Sequence, residues 1–197
     1  MVIEYFTSLE FILCYFANVC KEISNQILCL SDASFGIDYL TAIELEGYYA
    51  SCSSDIITLE KDGIIQGFSI VQVVSPEELK EILFCEIPKP ILELEKIGYR
   101  KMTAVSPEFQ RIGVAKRLFE SGNNWMKEHG AEVILSAVWI KKGKTTFGQM
   151  LVKQGFEPLV FVKKYWKNDS INRKFICPVC GEPPCECDAM VYAKFNV

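Results

Sequence analysis

Residues 99 to 120 read YRKMTAVSPEFQRIGVAKRLFE, and this stretch decides the predicted fold. Its first part, Tyr99 to Val105, is rich in β-branched and aromatic residues and predicts a strand. The Ser106-Pro107 pair ends that strand, because proline has no N–H to donate to a sheet. From Arg111 onward, apolar residues recur every three or four positions, which predicts a helix with one buried face. The stretch therefore predicts a strand, a turn and a helix.

The turn before the helix has the spacing Q-x-x-G-x-A, formed by Gln110, Gly113 and Ala115. The first N–H groups of a helix have no partner within it and carry the positive end of the helix dipole. Gly113 lets an anion approach this backbone closely, and Arg111 and Lys116 add positive charge. The turn therefore predicts a phosphate-binding site, although many strand-to-helix turns contain a glycine and bind no ligand.

The flanks of this turn resemble the central motif of the GNAT superfamily, the acetyl-CoA-dependent N-acyltransferases. That motif is a strand ending in an apolar residue and valine, then x-Pro-x-x, then Q/R-x-x-G-x-G/A at the start of a long helix. Ala104-Val105, Pro107, Gln110, Gly113 and Ala115 match it in order.

A second match lies at the distance that the family implies. It consists of a strand from Val133 to Trp139, a helix from about Thr145, and Gln154-Gly155-Phe156 before another strand. The resemblance covers residues 55–166. It implies an α/β fold, the GNAT-like acyl-CoA N-acyltransferase fold, with a central mixed sheet flanked by helices.

The same resemblance implies where acetyl-CoA binds. In the family it lies where two strands part, here the strand ending at Val105 and the strand beginning near Val133. Ala104 and Val105 would contact the pantetheine arm. The pyrophosphate would bind mainly to backbone amides of Gln110, Arg111, Ile112, Gly113, Val114, Ala115 and Lys116.

Catalysis in this family is direct attack of an amine on the thioester, without a covalent enzyme intermediate. A tyrosine commonly protonates the leaving thiolate, four residues before the glycine of the Gly-Phe pair, but this chain has Leu151 there. The asparagine expected at the start of that helix is replaced by Lys144. Tyr165 is the predicted substitute acid, and Glu93 and Glu95, which precede the central strand, are the predicted bases. The alternative is that these glutamates are ordinary surface residues.

Other chemistries are excluded. The single histidine, His129, precedes Gly130 at the predicted end of the helix, where a capping role explains it, so Ser–His and Cys–His mechanisms are set aside. The chain has no G-x-G-x-x-G dinucleotide motif. Gly143-Lys144-Thr145 imitates the end of a P-loop, but Val138 occupies the position of its first glycine, which predicts a plain loop.

Nine cysteines divide into two groups. Five lie among apolar neighbours and predict buried thiols in a reducing compartment: Cys14, Cys20, Cys29, Cys52 and Cys85. The other four have the spacing C-x2-C-x4-C-x-C: Cys177, Cys180, Cys185 and Cys187. Four thiolates can close a tetrahedron around a structural zinc ion, with no open position for catalysis. Two disulfides, a redox pair and an iron–sulfur cluster are the alternatives.

The domain organisation is predicted from these motifs. Residues 1–170 would form the acyltransferase domain, and residues 171–197 a small zinc lobe with a final strand that packs on the same domain. The lobe would lie at the tip of a hairpin formed by Leu159 to Trp166 and the last strand. Residues 75–98 are inserted where the family usually has a tight turn. The resemblance implies that this insert shapes acceptor binding; a surface elaboration is the alternative.

Two local signals mark the boundaries of this insert and of the hairpin before it. Asp62-Gly63 lies between two β-rich runs and predicts a hairpin with a primed turn. Ser75-Pro76-Glu77-Glu78 has a capping serine, a proline at the first position and a glutamate at the third, which predicts the start of a helix. Ile87-Pro88-Lys89-Pro90 is expected to end that helix.

The amino-terminal residues are apolar but do not predict a membrane segment. Apolar side chains between Leu9 and Leu30 recur at helical spacing and predict an amphipathic helix. The longest uninterrupted apolar run, Phe11 to Ala17, is too short to span a bilayer. Glu4 and Glu10 stand where a signal peptide would be basic. We therefore expect a cytoplasmic protein without membrane contact.

The net charge of −4 conceals an asymmetry along the chain. Residues 1–99 are strongly acidic, and residues 100–174, which contain the phosphate turn, are strongly basic. A basic surface suits polyanionic coenzyme A, whereas an acidic one would attract a cationic amine, such as a lysine-rich peptide. Solvated faces unrelated to binding are the alternative.

The predicted function is transfer of an acetyl group from acetyl-CoA to a primary amine of an unidentified small molecule or peptide. Two alternatives remain, acyl-CoA binding without turnover and a zinc lobe that contacts another protein. Nucleic acid is disfavoured as a partner, because Lys194 is the only basic residue between positions 175 and 197. The sequence does not predict the oligomeric state.

Overall fold

The computed structural model describes the backbone of residues 8–140 and 145–197, and side chains from residue 21 onward within these ranges, except that of Thr146. The helices are α1 (Ser8–Phe35), α2 (Ala42–Ala50), α3 (Pro76–Ile82), α4 (Lys89–Leu92), α5 (Val114–Glu128), α6 (Thr146–Lys153) and α7 (Lys167–Arg173). The strands are β1 (Ser54–Lys61), β2 (Ile64–Val74), β3 (Ile97–Val105), β4 (Val133–Ile140), β5 (Glu157–Val162) and β6 (Asp188–Phe195).

The strands form one mixed sheet in the order β1-β2-β3-β4-β6-β5. The pair β3 and β4 is parallel, and the other neighbouring pairs are antiparallel. Strand β6 lies between β4 and β5, so the last strand of the chain belongs to the sheet. The prediction of an α/β fold with a central mixed sheet flanked by helices is confirmed.

The two faces of the sheet carry different helices. On one face, α1 and α2 pack through Ile27 and Leu45 against Phe68 and Met102. The inserted helices α3 and α4 cover the neighbouring part of the core, where Leu79 and Ile91 pack against Tyr99 and Val191. The opposite face packs against α5 and α6, through Phe119, Met126 and Leu151. The sheet is therefore covered on both faces.

The local turn and capping predictions are confirmed. Asp62 and Gly63 both have positive φ, 54° and 78°, as a primed hairpin turn requires. The Ser75 hydroxyl accepts from the Glu78 amide while the Glu78 carboxylate accepts from the Ser75 amide, so α3 begins with a capping box. His129 is the C-cap of α5, as predicted, and its Nδ1 lies 2.8 Å from the Trp125 carbonyl oxygen.

One boundary prediction for the insert is wrong. Helix α3 already ends at Ile82, and the Pro88-Lys89-Pro90 segment begins α4 instead of ending α3. Proline is accepted in the first turn of a helix, where its missing N–H would have had no intrahelical partner. Among the described residues, no helix is both long enough and apolar enough to cross a membrane.

Candidate functional site

The two central parallel strands part half-way along their length. Strand β3 pairs with β4 only from Ile97 to Arg100, opposite Val133 to Ser136. Beyond these residues β3 stays paired with β2 as far as Val105, and β4 stays paired with β6 as far as Ile140. The two strands therefore diverge while each keeps its outer partner, as the resemblance implies for the acyl-CoA site.

A cavity of about 260 Å³ lies where these strands diverge. Its walls are residues 100–103 of β3 and residues 136–139 of β4, with Phe147 from α6. Aromatic side chains from distant parts of the chain complete it: Phe35, Tyr39, Trp166 and Phe175. The cavity is slightly smaller than most small-molecule sites, which have volumes of about 300–1,000 Å³, and shares their largely apolar lining.

A β-bulge shapes the β3 wall of the cavity. Ile70 of β2 is opposite Met102, but the next residue, Val71, is opposite Arg100, so Lys101 has no partner on β2. A bulge re-aims the side chains that follow it. Arg100 consequently contacts α5, while the Lys101 ammonium lies 5.6 Å from the ring centroid of Tyr39, on the α1 side.

The predicted phosphate turn lies at the start of α5. Gly113 is the N-cap with φ 92°, and no atom lies within 4 Å of a Cβ built on it, so the backbone is open to an approaching anion. The Gln110 side-chain amide donates to the Val105 carbonyl oxygen at 3.1 Å and holds the turn against the end of β3. Arg111 and Lys116 are exposed beside it.

The structure brings the predicted cofactor-binding residues together. Ala104 is buried and Val105 half-buried in β3, directly after Thr103 of the cavity wall. The turn residues Gln110, Arg111, Ile112, Gly113, Val114, Ala115 and Lys116 follow around the first turn of α5. Ile112 is 67% exposed, which nothing in the motif required. A continuous path of backbone thus connects the cavity with the phosphate turn; the individual roles stay predictions.

Arg100 is a buried cation held by neutral groups. Its Nη1 donates to Ser69 Oγ at 2.7 Å, and Nη2 donates to the Phe119 carbonyl at 3.1 Å and to Asn123 Oδ1 at 2.8 Å. Among the described atoms, Arg100 Nε has no hydrogen-bond partner. Burial lowers the pKa of Arg100 to about 9, so the side chain is still charged at neutral pH.

The Tyr39 side chain is held between the cavity and a charged network. Trp166 Nε1 donates to the Tyr39 hydroxyl at 3.1 Å, and burial raises the pKa of that hydroxyl well above its ordinary value. Arg173 donates to the Tyr39 carbonyl oxygen at 2.7 Å and forms ion pairs with Glu44 at 2.8 Å and Asp169 at 3.2 Å. These contacts fix the orientation of two aromatic side chains of the wall.

The predicted bases Glu93 and Glu95 do not reach the cavity. Both are exposed near the amino end of β3, where the Glu95 amide donates to Glu132 Oε1 at 2.8 Å. At about 3.3 Å per residue, Glu95 lies on the order of 20 Å along the strand from Lys101. Their catalytic role stays a prediction, and any proton would have to travel through water.

The predicted acid Tyr165 is buried beneath the insert. Its hydroxyl accepts from the Phe84 amide at 3.3 Å and is hydrogen-bonded to Tyr99, and burial raises its pKa. Tyr165 does not line the cavity, although Trp166, the next residue, does. Leu151, at the family's tyrosine position, is fully buried in the core. The prediction for Lys144 lies outside the described residues.

The four clustered cysteines have the geometry of a metal site. The Sγ atoms of Cys177, Cys180, Cys185 and Cys187 all lie within 4.8 Å of one another. Cys187 Sγ is 3.8 Å from Cys177 Sγ and 3.5 Å from Cys180 Sγ. Zinc–sulfur bonds of about 2.3 Å in a tetrahedron place the sulfurs about 3.8 Å apart. The donor set therefore fits zinc.

Backbone amides donate hydrogen bonds to the sulfurs of this cluster. The Val179 amide donates to Cys177 Sγ at 3.5 Å and the Glu186 amide to Cys180 Sγ at 3.3 Å. Burial acts to raise the pKa of Cys177, but hydrogen bonds from the Cys180 and Val179 amides bring it below its ordinary value. Burial raises the pKa of Cys187 to about 12.

The segment that carries these cysteines, residues 174–187, is called the cysteine lobe here. It connects α7 to β6 and is therefore part of the connection from β5 to its antiparallel partner β6. The Cys185 amide donates to Ser170 Oγ at 2.8 Å, and the Tyr165 amide donates to the Cys187 carbonyl at 3.0 Å. Phe175, Cys177 and Cys185 line the cavity. The lobe is thus one wall of the candidate site.

The prediction of buried thiols for the scattered cysteines is wrong for two of them. Cys29 and Cys52 are exposed, and Cys85 is only half-buried. Cys29 lies on the outer side of α1, and Cys52 lies in the loop between α2 and β1, so their apolar sequence neighbours point elsewhere. Cys14 and Cys20 lie outside the described side chains.

Comparison with known proteins gives matches in structure but not in sequence. No family model matches the chain, and no curated protein matches it. The ribosomal-protein-S18-alanine N-acetyltransferase of Escherichia coli matches with a TM-score of 0.57 at 14% identity, over 98% of this chain and 92% of that one. An N-acetyltransferase of Staphylococcus aureus matches with a TM-score of 0.60 at 14% identity, over 89% and 93%. The chain has the GNAT acetyltransferase fold.

A third match was solved with its ligands. A chain of the NatC complex, bound to Gag peptide and CoA, has a TM-score of 0.58 at 17% identity, over 90% of this chain and 92% of that one. At 14–17% identity the similarity shows that the chain has the GNAT fold. Its chemistry has to be argued from its own residues.

Sequence reasoning about the GNAT motif missed the aromatic part of the cavity wall. Tyr39 and Phe175 lie outside residues 55–166, and Trp166, the last residue of that range, was given no role. Lys101 could have been found, because the Arg100-Lys101 pair interrupts an otherwise apolar stretch of the central strand. A basic pair inside a buried strand requires partners, and only the folded chain shows which partners these are.

Proposed function

We propose that this protein transfers an acetyl group from acetyl-CoA to a primary amine bound in the cavity between β3 and β4. The observation that carries the proposal is the continuity of three features: the phosphate turn at Gly113, the strand end at Val105, and the cavity where β3 and β4 diverge. Two of the similar solved structures are N-acetyltransferases, and the similar chain of the NatC complex was solved with CoA. Beyond Arg100, β3 no longer pairs with β4, which leaves backbone groups of β3 available to polarise a substrate carbonyl.

The proposed reaction needs little more than positioning and polarisation. The amine nitrogen bonds to the carbonyl carbon of the thioester, the C–S bond breaks, and the CoA thiolate takes up a proton as the amine loses one. Backbone amides of residues 101–103, beyond the last β3–β4 pair, are the groups that would polarise the carbonyl. Tyr165, Glu93 and Glu95 remain the predicted acid and bases, acting through water.

Calorimetric titration with acetyl-CoA tests the cofactor site. The variant Gly113→Glu places bulk and negative charge at the start of α5 and should abolish micromolar binding. Gly63→Glu is the matched control, because Gly63 also has positive φ and open space around it but lies in the β1–β2 turn. Equal loss of binding in both variants, or unchanged binding in Gly113→Glu, would contradict the assignment.

Turnover distinguishes an enzyme from a protein that only binds acyl-CoA. Thiol release with a panel of amines is the measurement, and Leu151 at the usual tyrosine position makes the non-catalytic alternative worth testing. Tyr165→Phe, Glu93→Gln and Glu95→Gln test the predicted acid and bases one at a time. A lower kcat with unchanged KM for the amine supports a role; an unchanged kcat removes the residue from the mechanism.

We also propose that the four clustered cysteines hold one structural zinc ion. The close sulfur distances and the amide hydrogen bonds support this, since four thiolates complete a tetrahedron. The ion would fix the cysteine lobe against the cavity and supply no open position for catalysis. One equivalent of zinc per chain, released by a thiol-modifying reagent, is the expected result. Metal-free protein with two disulfides would contradict it.

A further inference from the structure

Both charged side chains that β3 contributes to the cavity wall are cations. The other charge in the lining would be on the Cys177 and Cys185 thiolates, which would bind the proposed zinc ion. The described lining contains Arg100 and Lys101 but no aspartate or glutamate. Two carboxylates, those of Asp169 and Glu44, act on the charge of Lys101. Both form ion pairs with Arg173 instead. Among the described residues, Lys101 has no ion pair of its own. Within the described part of the chain, the Lys101 ammonium is therefore a positive charge in the cavity wall that no carboxylate neutralises by direct contact.

A half-buried ammonium without an acidic partner is unfavourable in an empty site. Burial lowers the pKa of Lys101, and the positive charge of Arg173 lowers it further, against the opposing effect of Asp169 and Glu44. The only aromatic contact described for the ammonium is the Tyr39 ring, with 5.6 Å to the centroid. A bound anion would remove this cost, because a charge-assisted hydrogen bond is strongest where water is excluded.

The rest of the cavity wall is aromatic and favours a bound molecule whose main part is apolar. The rings of Tyr39, Trp139, Trp166 and Phe175 surround the part of the cavity that faces α1 and the cysteine lobe. The phosphate turn lies at the start of α5, on the opposite face of the sheet. This leaves the ring-lined side, where Lys101 lies, for the acceptor. The volume of about 260 Å³ suits a molecule of amino-acid size.

We propose that the acceptor is an amine with an aromatic or large apolar body and a carboxylate that pairs with Lys101, as in an aromatic amino acid. This inference rests on the proposed function for the transfer step, but the preference for an anion can be measured without turnover. It is opposite in sign to the expectation of a cationic, lysine-rich acceptor that segment charges suggested. The acidic residues of the first half of the chain do not line the described cavity.

Three probes with the same body and different charge test the anion preference. These are 3-phenylpropionate, 3-phenylpropan-1-ol and 3-phenylpropan-1-amine, titrated against tryptophan fluorescence with saturating CoA present, so that the cofactor position is filled. Trp139 and Trp166 lie in the wall and report binding. The carboxylate is expected to bind about tenfold more tightly than the alcohol, ~1.4 kcal/mol, and the amine most weakly.

Matched lysine variants assign this preference to one residue. Lys101→Met should reduce the carboxylate affinity to that of the alcohol, while Lys101→Arg and the exposed Lys127→Met should keep the preference. The Arg variant also covers the case in which Lys101→Met fails to fold. Equal affinity for alcohol and carboxylate, tighter binding of the amine, an unchanged preference in Lys101→Met, or no saturable binding of any probe overturns the proposal.

Turnover then separates this inference from the proposed function. L-phenylalanine should have a kcat/KM about tenfold above L-phenylalaninamide and 2-phenylethylamine, and Lys101→Met should raise KM for L-phenylalanine alone. Equal turnover of the amide would overturn the carboxylate pairing and leave acetyl transfer intact. Preferential carboxylate binding with no acetylation of any amine would leave the anion site intact and overturn the transfer.

Discussion

Gly122 of α5 leaves the space that the guanidinium of Arg100 occupies. A Cβ built at Gly122 would lie 2.7 Å from Arg100 Nη1 and 3.0 Å from Val71 Cγ1. The guanidinium cannot move away easily, because three hydrogen bonds and the Phe119 ring, 4.0 Å from Cζ, hold it. A glycine in the middle of a helix is thus explained by the strand that the helix covers.

The variant Gly122→Ala should be less stable by about 1–2 kcal/mol, although alanine is the better helix former by about 1 kcal/mol. Gly47→Ala in α2 is the control, since no atom lies within 4 Å of its built Cβ, and it should gain about 0.5–1 kcal/mol. Urea denaturation measures both free energies of unfolding. A gain in Gly122→Ala equal to that in Gly47→Ala would show that Arg100 adjusts without cost.

Gly36 lets the cysteine lobe approach α1. Its φ is +114°, and a Cβ there would clash with the Ile176 carbonyl oxygen, next to the Ile37–Ile176 bridge. Gly36→Ala should cost about 2–5 kcal/mol from backbone strain and the clash. Gly181→Ala, also at positive φ but in open space, should cost about 1 kcal/mol. Urea denaturation compares the two, and equal losses would contradict the close approach.

Buried phenols make the protein sensitive to alkali. Burial raises the pKa values of Tyr39, Tyr99 and Tyr165 above the ordinary value of 10.0. Above pH 10 the unfolded chain loses these protons while the folded chain keeps them, so stability is full below pH 10 and falls as the pH rises. Each phenol contributes about 1.4 kcal/mol per pH unit.

Tyr165→Phe checks this linkage. Its free energy of unfolding should fall less than that of the wild type between pH 10 and 11, by about 1 kcal/mol over this interval, because the unfolded phenol is half ionised at pH 10. The variant Phe161→Leu, at an exposed position with no titratable group, serves as the control and should keep the wild-type slope. Parallel curves for Tyr165→Phe and wild type would mean that the Tyr165 hydroxyl reaches water in the folded protein.

Metal removal should loosen the cysteine lobe more than the cofactor site. A chelator should lower the Tm reversibly, because binding free energy at a structural metal site is also folding free energy. Cys180→Ser should reproduce the effect, whereas the exposed Cys52→Ser should not. Acetyl-CoA affinity, set by the turn at Gly113, should change less than about threefold. A Tm independent of chelator and of Cys180 would contradict a metal-bound lobe.

Local patterns in the sequence determined a large part of this structure. The Q-x-x-G-x-A turn, the Asp62-Gly63 hairpin, the Ser75 capping box and the four-cysteine spacing each act over a few residues. Backbone hydrogen bonds, positive φ and metal ligation over such short distances depend little on the rest of the chain. The central mixed sheet, and the place where β3 and β4 part, followed from the resemblance to a known family.

Only the tertiary structure decided what the cavity is made of. A bulge in β3 turns Lys101 toward α1, and the cysteine lobe folds back against Gly36. These two features bring together lining residues from distant segments: Phe35, Tyr39, Lys101, Trp166 and Phe175. Glu93 and Glu95 are near the central strand in sequence, yet lie at its other end. A strand extends about 3.3 Å per residue, so a few positions decide whether a side chain reaches a site. Contacts between distant segments depend on packing, which no local pattern records.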